Sequence, residues 1–337
     1  MSDFTPLRQT RGVDATITHT FEYYRSRFKS IAKALLIILG PIVGFHVFLS
    51  ALGRIFYPEF FSFGDTEVLF ESMQGSGGLL LIVTLSWLAI VAALVVIIPV
   101  LYGYLRLDER MDDGALPTPS QVWAEARQHL ASVVFGGLLW YFVWIMGTIL
   151  MTIPIMLFGL PFGEIGMAVL AVVGLIGAAT FLGVRLCMFF PAIVIDQHGP
   201  ISAFSRSWNL TKGAFWRTFG ISVIAGIIVG TASALLSLPS QFGGGLGMLF
   251  DMNLTALLIV FDVVGAVGTY LAYPIFYMAL GFHYYSQVER HEYEGLEQRI
   301  EALDGEEASL DSREIEESDP FARAPSDSDD DPFRNDR

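Results

Sequence analysis

The sequence predicts an all-α polytopic membrane protein with six transmembrane helices, built as three repeated units of interfacial amphipathic helix plus hairpin. Three observations lead there. The 337 residues are 53% hydrophobic and only 16% charged, with a mean hydropathy of +0.54, where a soluble domain carries about 25% charged residues. Six stretches are each long and apolar enough to cross the ~30 Å hydrocarbon layer, which takes about 20 residues. Between those stretches, basic and acidic segments alternate.

The first thirty residues are polar, so the first apolar run reads as an uncleaved span and not as a secretory signal. The spans are expected at 34–52, 79–105, 130–158, 165–184, 218–238 and 254–282. Only the last holds a charge, Asp262. Gly159, Pro161 and Gly163 mark the turn between the third and fourth. Pro239 is expected to end the fifth, with the glycine-rich 243–247 after it.

Orientation follows from the connecting segments. The N-terminal segment carries Arg8, Arg11, Arg25, Arg27, Lys29 and Lys33. The second-to-third loop carries Arg106, Arg110 and Arg127, and the fourth-to-fifth carries Arg185, Arg206, Lys212 and Arg217. The other three loops hold one base, Arg54, against six acids. The positive-inside rule puts the basic side in the cytoplasm, and an even number of spans puts both termini there, in the cell membrane.

Each basic segment also contains an amphipathic stripe that leads into an odd-numbered span. Ile17, Phe21, Tyr24, Phe28 and Ile31 form the first. Val122, Ala126, Leu130 and Val133 form the second, and Ile201, Phe204, Trp208 and Phe215 the third. Thr118-Pro119-Ser120-Gln121 reads as a capping box with proline at the first helical position, and Pro200 opens the third stripe. The returning spans echo one another through Pro99 and Tyr102 against Pro274 and Tyr277.

Two domains are expected: a membrane domain over 1–286 and an acidic, largely disordered cytoplasmic tail over 287–337. The tail holds 18 acids and 6 bases, so it accounts for −12 of the formal net charge of −14. After Gly305 its composition is too polar to bury a core. It repeats Asp319-Pro320-Phe321 as Asp331-Pro332-Phe333, a motif suited to docking in a partner protein's pocket.

The stretch 184–220 contains Arg185, Pro191, Ala203, Arg206, Ser207, Trp208, Leu210, Thr211, Gly213, Phe215 and Trp216. In these positions it resembles the signature of the glycerophosphoryl diester phosphodiesterase membrane-domain family and its uncharacterised relatives. Asp196 stands where that family usually has glutamate. The resemblance implies a membrane module, sometimes fused to a phosphodiesterase barrel. Such a barrel takes about 250 residues and has no room here, so the phosphodiesterase activity is not carried over.

Two residue groups invite function. Arg185, Arg206, Trp208, Lys212, Trp216 and Arg217 form a basic aromatic belt. Tryptophan favours the headgroup level, and each base there attracts anionic lipid by about 1 kcal/mol; ordinary positive-inside topology explains the same charges. Deep in the bilayer, His46 and Asp262 fall at similar depth, roughly 9–12 Å from the same face at 1.5 Å per residue. They are expected to form a polar pair, as packing glue or as part of an ion pathway. Cys187 is single and cannot form an intramolecular disulfide. No metal-binding spacing, P-loop or nucleophile elbow occurs, so no metal, cofactor or nucleic-acid role is expected. Two function classes remain: a non-enzymatic module acting at the inner leaflet through lipids or a partner protein, and a small-solute or lipid transporter that uses the His46–Asp262 region. An intramembrane enzyme is disfavoured for want of a catalytic constellation.

Overall fold

The computed structural model describes residues 9–57, 76–111, 115–249 and 254–318. Among them the chain forms α1 (Val13–Phe56), α2 (Gly77–Arg110), α3 (Pro119–Leu157), α4 (Gly163–Leu186), α5 (Phe189–Val194), α6 (Pro200–Thr211), α7 (Phe215–Leu249) and α8 (Thr255–Ser318), with a 3₁₀ turn at Leu160–Phe162. No strand occurs among the described residues. Two units are distinguished, Met1–Val288 and Glu289–Arg337; the described part of the second is helical.

Six helical stretches are long and apolar enough to cross a membrane, the fourth running from Leu160 through Val194. In the most apolar window of each, only 17–22% of residues are buried. The remaining apolar side chains face outward, far beyond the apolar patch a soluble monomer exposes, so the solvent of this surface is lipid.

The helices pair as hairpins. α1 packs on α2, α3 on α4, and α2 bridges to α3. α7 approaches α8 closely at Gly265, where a Cβ would lie 3.2 Å from the Leu236 carbonyl oxygen; a larger residue would push the two backbones apart. The core concentrates at the end where the basic segments meet. Residues 97–106 of α2 and 278–288 of α8 are buried on every side, including Tyr102, Phe282, Tyr284 and Tyr285. Helices buried all round need cover on all faces. The amphipathic N-terminal part of α1, the short α5 and α6 help supply it: Tyr23, Phe189 and Ala203 join the same cluster.

Helix starts follow the local chemistry. Thr118 caps α3 with the reciprocal Gln121 contact of a capping box, and Pro119 occupies the first turn. Pro200 starts α6 in the same way. In α1 and α3 the amphipathic stretch and the span are one unbroken helix. The third case differs: α6 stops at Thr211, and Gly213 takes a φ of +83° before α7 begins. That left-handed backbone favours glycine.

Two expectations need correction. Pro239 does not end the fifth span, since α7 runs on through it to Leu249. A proline inside a membrane helix frees one backbone carbonyl, which neighbouring groups can satisfy. Past the fourth span the chain does not go straight into a loop but folds α5 into the core, with Phe189, Pro191 and Val194 all buried. Separately, α8 continues past Gly305 to Ser318. Residues 306–318 hold five glutamates, a strong helix former. Both Asp-Pro-Phe motifs lie outside the described residues.

Candidate functional site

At the basic end, acids and bases from different helices interlock. Tyr23 Oη of α1 donates to Asp108 Oδ2 of α2 at 2.8 Å, and Arg27 lies 3.5 Å from the same carboxylate. Arg106 Nη1 bridges α2 to Glu125 of α3 at 2.8 Å, with His129 Nε2 at 3.3 Å. Asp196 Oδ2 accepts from Tyr284 Oη of α8 at 2.5 Å and from Arg206 Nη2 of α6 at 3.5 Å. Tyr285 Oη donates to Glu109 Oε2 at 3.0 Å, and the Arg11 backbone N–H to Ser286 Oγ at 2.9 Å. Buried charges persist only when paired and hydrogen-bonded, and the buried Asp108 is both; Glu125, Asp196 and Glu109 are half-buried and each accepts a hydrogen bond.

The belt is divided by this network. Arg185 lies over three rings, 4.9 Å from the Trp208 centroid, 5.4 Å from Phe181 and 5.8 Å from Phe215, a cation–π arrangement. Its backbone carbonyl accepts from Ser207 Oγ at 2.8 Å. Arg206 is engaged by Asp196. Lys212 is exposed and Arg217 half-buried, while Trp216 is 77% and Ile201 78% exposed. The α6 stripe read from the sequence is therefore split. Small residues Ala203 and Ser207 with Leu210 face the protein, and Ile201 and Trp208 face outward.

At the opposite end Asp262 finds a different partner from the expected one. Arg54, in the last turn of α1, grips it in bidentate fashion, with Nε at 2.5 Å from Oδ2 and Nη2 at 3.0 Å from Oδ1. Ser50 Oγ donates to Asp262 Oδ2 at 3.3 Å, and Arg54 Nη2 reaches the Ser240 carbonyl at 3.4 Å. His46 sits nearby without a hydrogen bond to the acid. Its Nδ1 is buried and has no hydrogen-bond partner among the described residues. Guanidinium matches carboxylate in two parallel bonds where imidazole offers one, which accounts for the preference. The two residues instead share the wall of a cavity of about 270 Å³, together with Ser50, Ser240, Thr269 and Tyr273. Sequence reasoning treated Arg54 as a loop residue and missed its role. The signal was there: it was the one base in three otherwise acidic loops.

Among the described residues, no three His, Cys, Asp or Glu side chains come together as a metal site.

The stretch that contains Asp196, the aromatic cage of Arg185 and Asp262 carries a likeness to a known family. Residues 151–302 match the family model described as the membrane domain of glycerophosphoryl diester phosphodiesterase. The match shows the resemblance carried by 184–220, and it begins near the end of α3 and extends into α8. The phosphodiesterase membrane-domain match thus includes Asp262 and Ser240 and leaves Arg54 and His46, on α1, outside it. No curated protein and no solved structure matches the chain. The family model is that of a membrane domain and not of a catalytic one, and the chain is an integral, multi-pass membrane module.

Proposed function

We propose that this module is non-enzymatic and acts at the cytoplasmic leaflet of the cell membrane, with both termini in the cytoplasm, by holding anionic lipid around the α6–α7 elbow. One observation carries the reading: exposed Ile201, Trp208 and Trp216 flank exposed Lys212 along the chain at the basic end, the composition of an interfacial anchor. Arg185 contributes by orienting Trp208, and Arg206 by fixing α6 to Asp196. In this reading the bundle is three repeated hairpin units. The contact of the two echoing tyrosines, Tyr102 and Tyr277, at 6.3 Å between ring centroids supports it. The Asp-Pro-Phe motifs, at 319–321 and 331–333, dock a partner protein.

The test is anionic-lipid enrichment around the full chain in nanodiscs of mixed phosphatidylcholine and phosphatidylglycerol. One base near the surface is worth about 1 kcal/mol, so Lys212→Gln should lower enrichment about fivefold at low salt, and salt should erase the difference. Unchanged enrichment would leave these charges as topology signals.

The second reading, transport of a small solute or lipid, is favoured by the cavity that reaches Asp262. It predicts flux in proteoliposomes that is abolished by Ser50→Leu.

A further inference from the structure

The interface of α1 and α8 contains a second hollow that neither the belt nor the ion pair uses. A groove of about 280 Å³ runs along it, walled by Leu35, Leu39 and Val43 of α1 and by Val263 and Val267 of α8. Val47 and Tyr270 line both this groove and the polar cavity beside Asp262, so the two adjoin and form an apolar and a polar part of one region, called the cleft below. Leu35 and Val47 lie about 18 Å apart along the helix, slightly more than one leaflet of roughly 15 Å. The groove therefore has the length of one acyl chain.

Two glycines keep it hollow. Gly40 and Gly44 stand on its wall, and a Cβ added at either would meet nothing within 4 Å. Glycine weakens a helix interior relative to alanine. At Gly136 its use is contact, since a Cβ there would lie 2.9 Å from Ile193 Cδ1, while Gly177, Gly220 and Gly230 are as open as Gly40 and Gly44, which differ from these in lining a groove. At Gly40 and Gly44 no helix comes close, so close packing is not what they serve.

The polar end selects the head. Asp262 and Arg54 neutralise one another, leaving no net charge for an ionic group to meet. A phosphate would face the Asp262 carboxylate, whose partner cation Arg54 is already engaged. What remains is hydrogen-bonding capacity: His46 Nδ1, buried without a partner among the described residues, and the hydroxyls of Ser50, Thr269 and Tyr273.

We propose that the cleft binds a neutral acylglycerol, with one acyl chain along Gly40 and Gly44 and a glycerol hydroxyl at His46. The inference takes its location from the transport reading, the cavity beside Asp262, and requires binding without requiring movement.

The full chain in phosphatidylcholine nanodiscs is labelled with a diacylglycerol carrying a diazirine in its acyl chain, and the cross-links are mapped by peptide mass spectrometry. Labelling should concentrate on α1 and α8. Dioleoylglycerol should displace it, and dioleoylphosphatidylglycerol should not. Gly44→Leu, which fills the groove, should reduce site labelling at least about tenfold with Tm unchanged or raised, since it improves the helix. His46→Leu should weaken displacement by dioleoylglycerol about fivefold, the worth of one ordinary hydrogen bond. Labelling spread evenly around the bundle, labelling undiminished in a folded Gly44→Leu, or equal displacement by the anionic lipid would each overturn the proposal. Site labelling with no transfer of acylglycerol across proteoliposome membranes would refute the transport reading and leave this site standing.

Discussion

Replacing Arg54 alone should be among the most damaging single changes to this bundle. Arg54 and Asp262 expose only 9% and 14% of their side chains and are joined by two short contacts. Arg54→Met would leave the carboxylate with Ser50 Oγ alone, at 3.3 Å. Removing one partner of a buried pair costs about 3–5 kcal/mol, because the other charge stays buried and uncompensated. In the hydrocarbon layer, insertion scales put a lone acid at about 2.5–3.5 kcal/mol, so the two estimates agree. Asp262→Leu should also be costly, because the Arg54 charge loses its counter-ion and keeps the neutral Ser240 carbonyl. The double variant Arg54→Met with Asp262→Leu should recover most of the loss, since apolar residues of similar volume often replace such a pair without penalty. At about 2 °C per kcal/mol for a chain of this size, each single variant should lower the Tm in detergent by about 6–10 °C, and the double should lie within about 3 °C of wild type. A single Arg54→Met variant with unchanged Tm would refute the reasoning. So would a double variant whose loss equals the sum of the singles, because the two residues would then act independently.

At the basic end, Tyr284→Phe removes the donor to Asp196 at a fully buried position. A hydrogen bond to a charged group contributes about 1.5–3 kcal/mol, so the Tm in detergent should fall by roughly 3–6 °C; no change would show that Arg206 alone satisfies the acid. Orientation is checked by single cysteines at Ser62 and Ser326, with Cys187 replaced by alanine. An impermeant maleimide should label the first and not the second in intact cells, and the reverse pattern would overturn the proposed topology.

The parts of the fold that the sequence made legible are those set by local rules. Span number came from apolar length, because lipid imposes a minimum that few other structures share. The start of α3 came from Thr118, Pro119 and Gln121, whose capping contacts lie within one turn. The meeting of the basic segments at one end came from alternation alone, and Tyr23 on Asp108 and Arg106 on Glu125 show that it holds. What stayed hidden depended on three-dimensional neighbours. Pro239 reads as a stop from sequence because its missing N–H is a local fact, while the compensation is tertiary. Asp262 was visible as an anomaly, but its partner was not. Ranking candidates by depth favoured His46, whereas the length of an arginine side chain lets Arg54 reach Asp262 from the end of its helix. The groove at Gly40 and Gly44 was illegible for a related reason: whether a glycine marks contact or emptiness depends on what stands opposite it.

The different junctions of the amphipathic segments have a mechanical consequence. In α1 and α3 the surface segment and the span are a single rod, so a push on the surface portion must tilt the buried portion with it, as an oar moves its blade. In the third case the rod is cut at Gly213. The angle of α6 is thereby uncoupled from that of α7, and α6 is held instead to the end of α4 by Ser207 on the Arg185 carbonyl and to Asp196 by Arg206. A tilt of α7 would therefore leave α6 in place, while in α1 and α3 surface and span move as one.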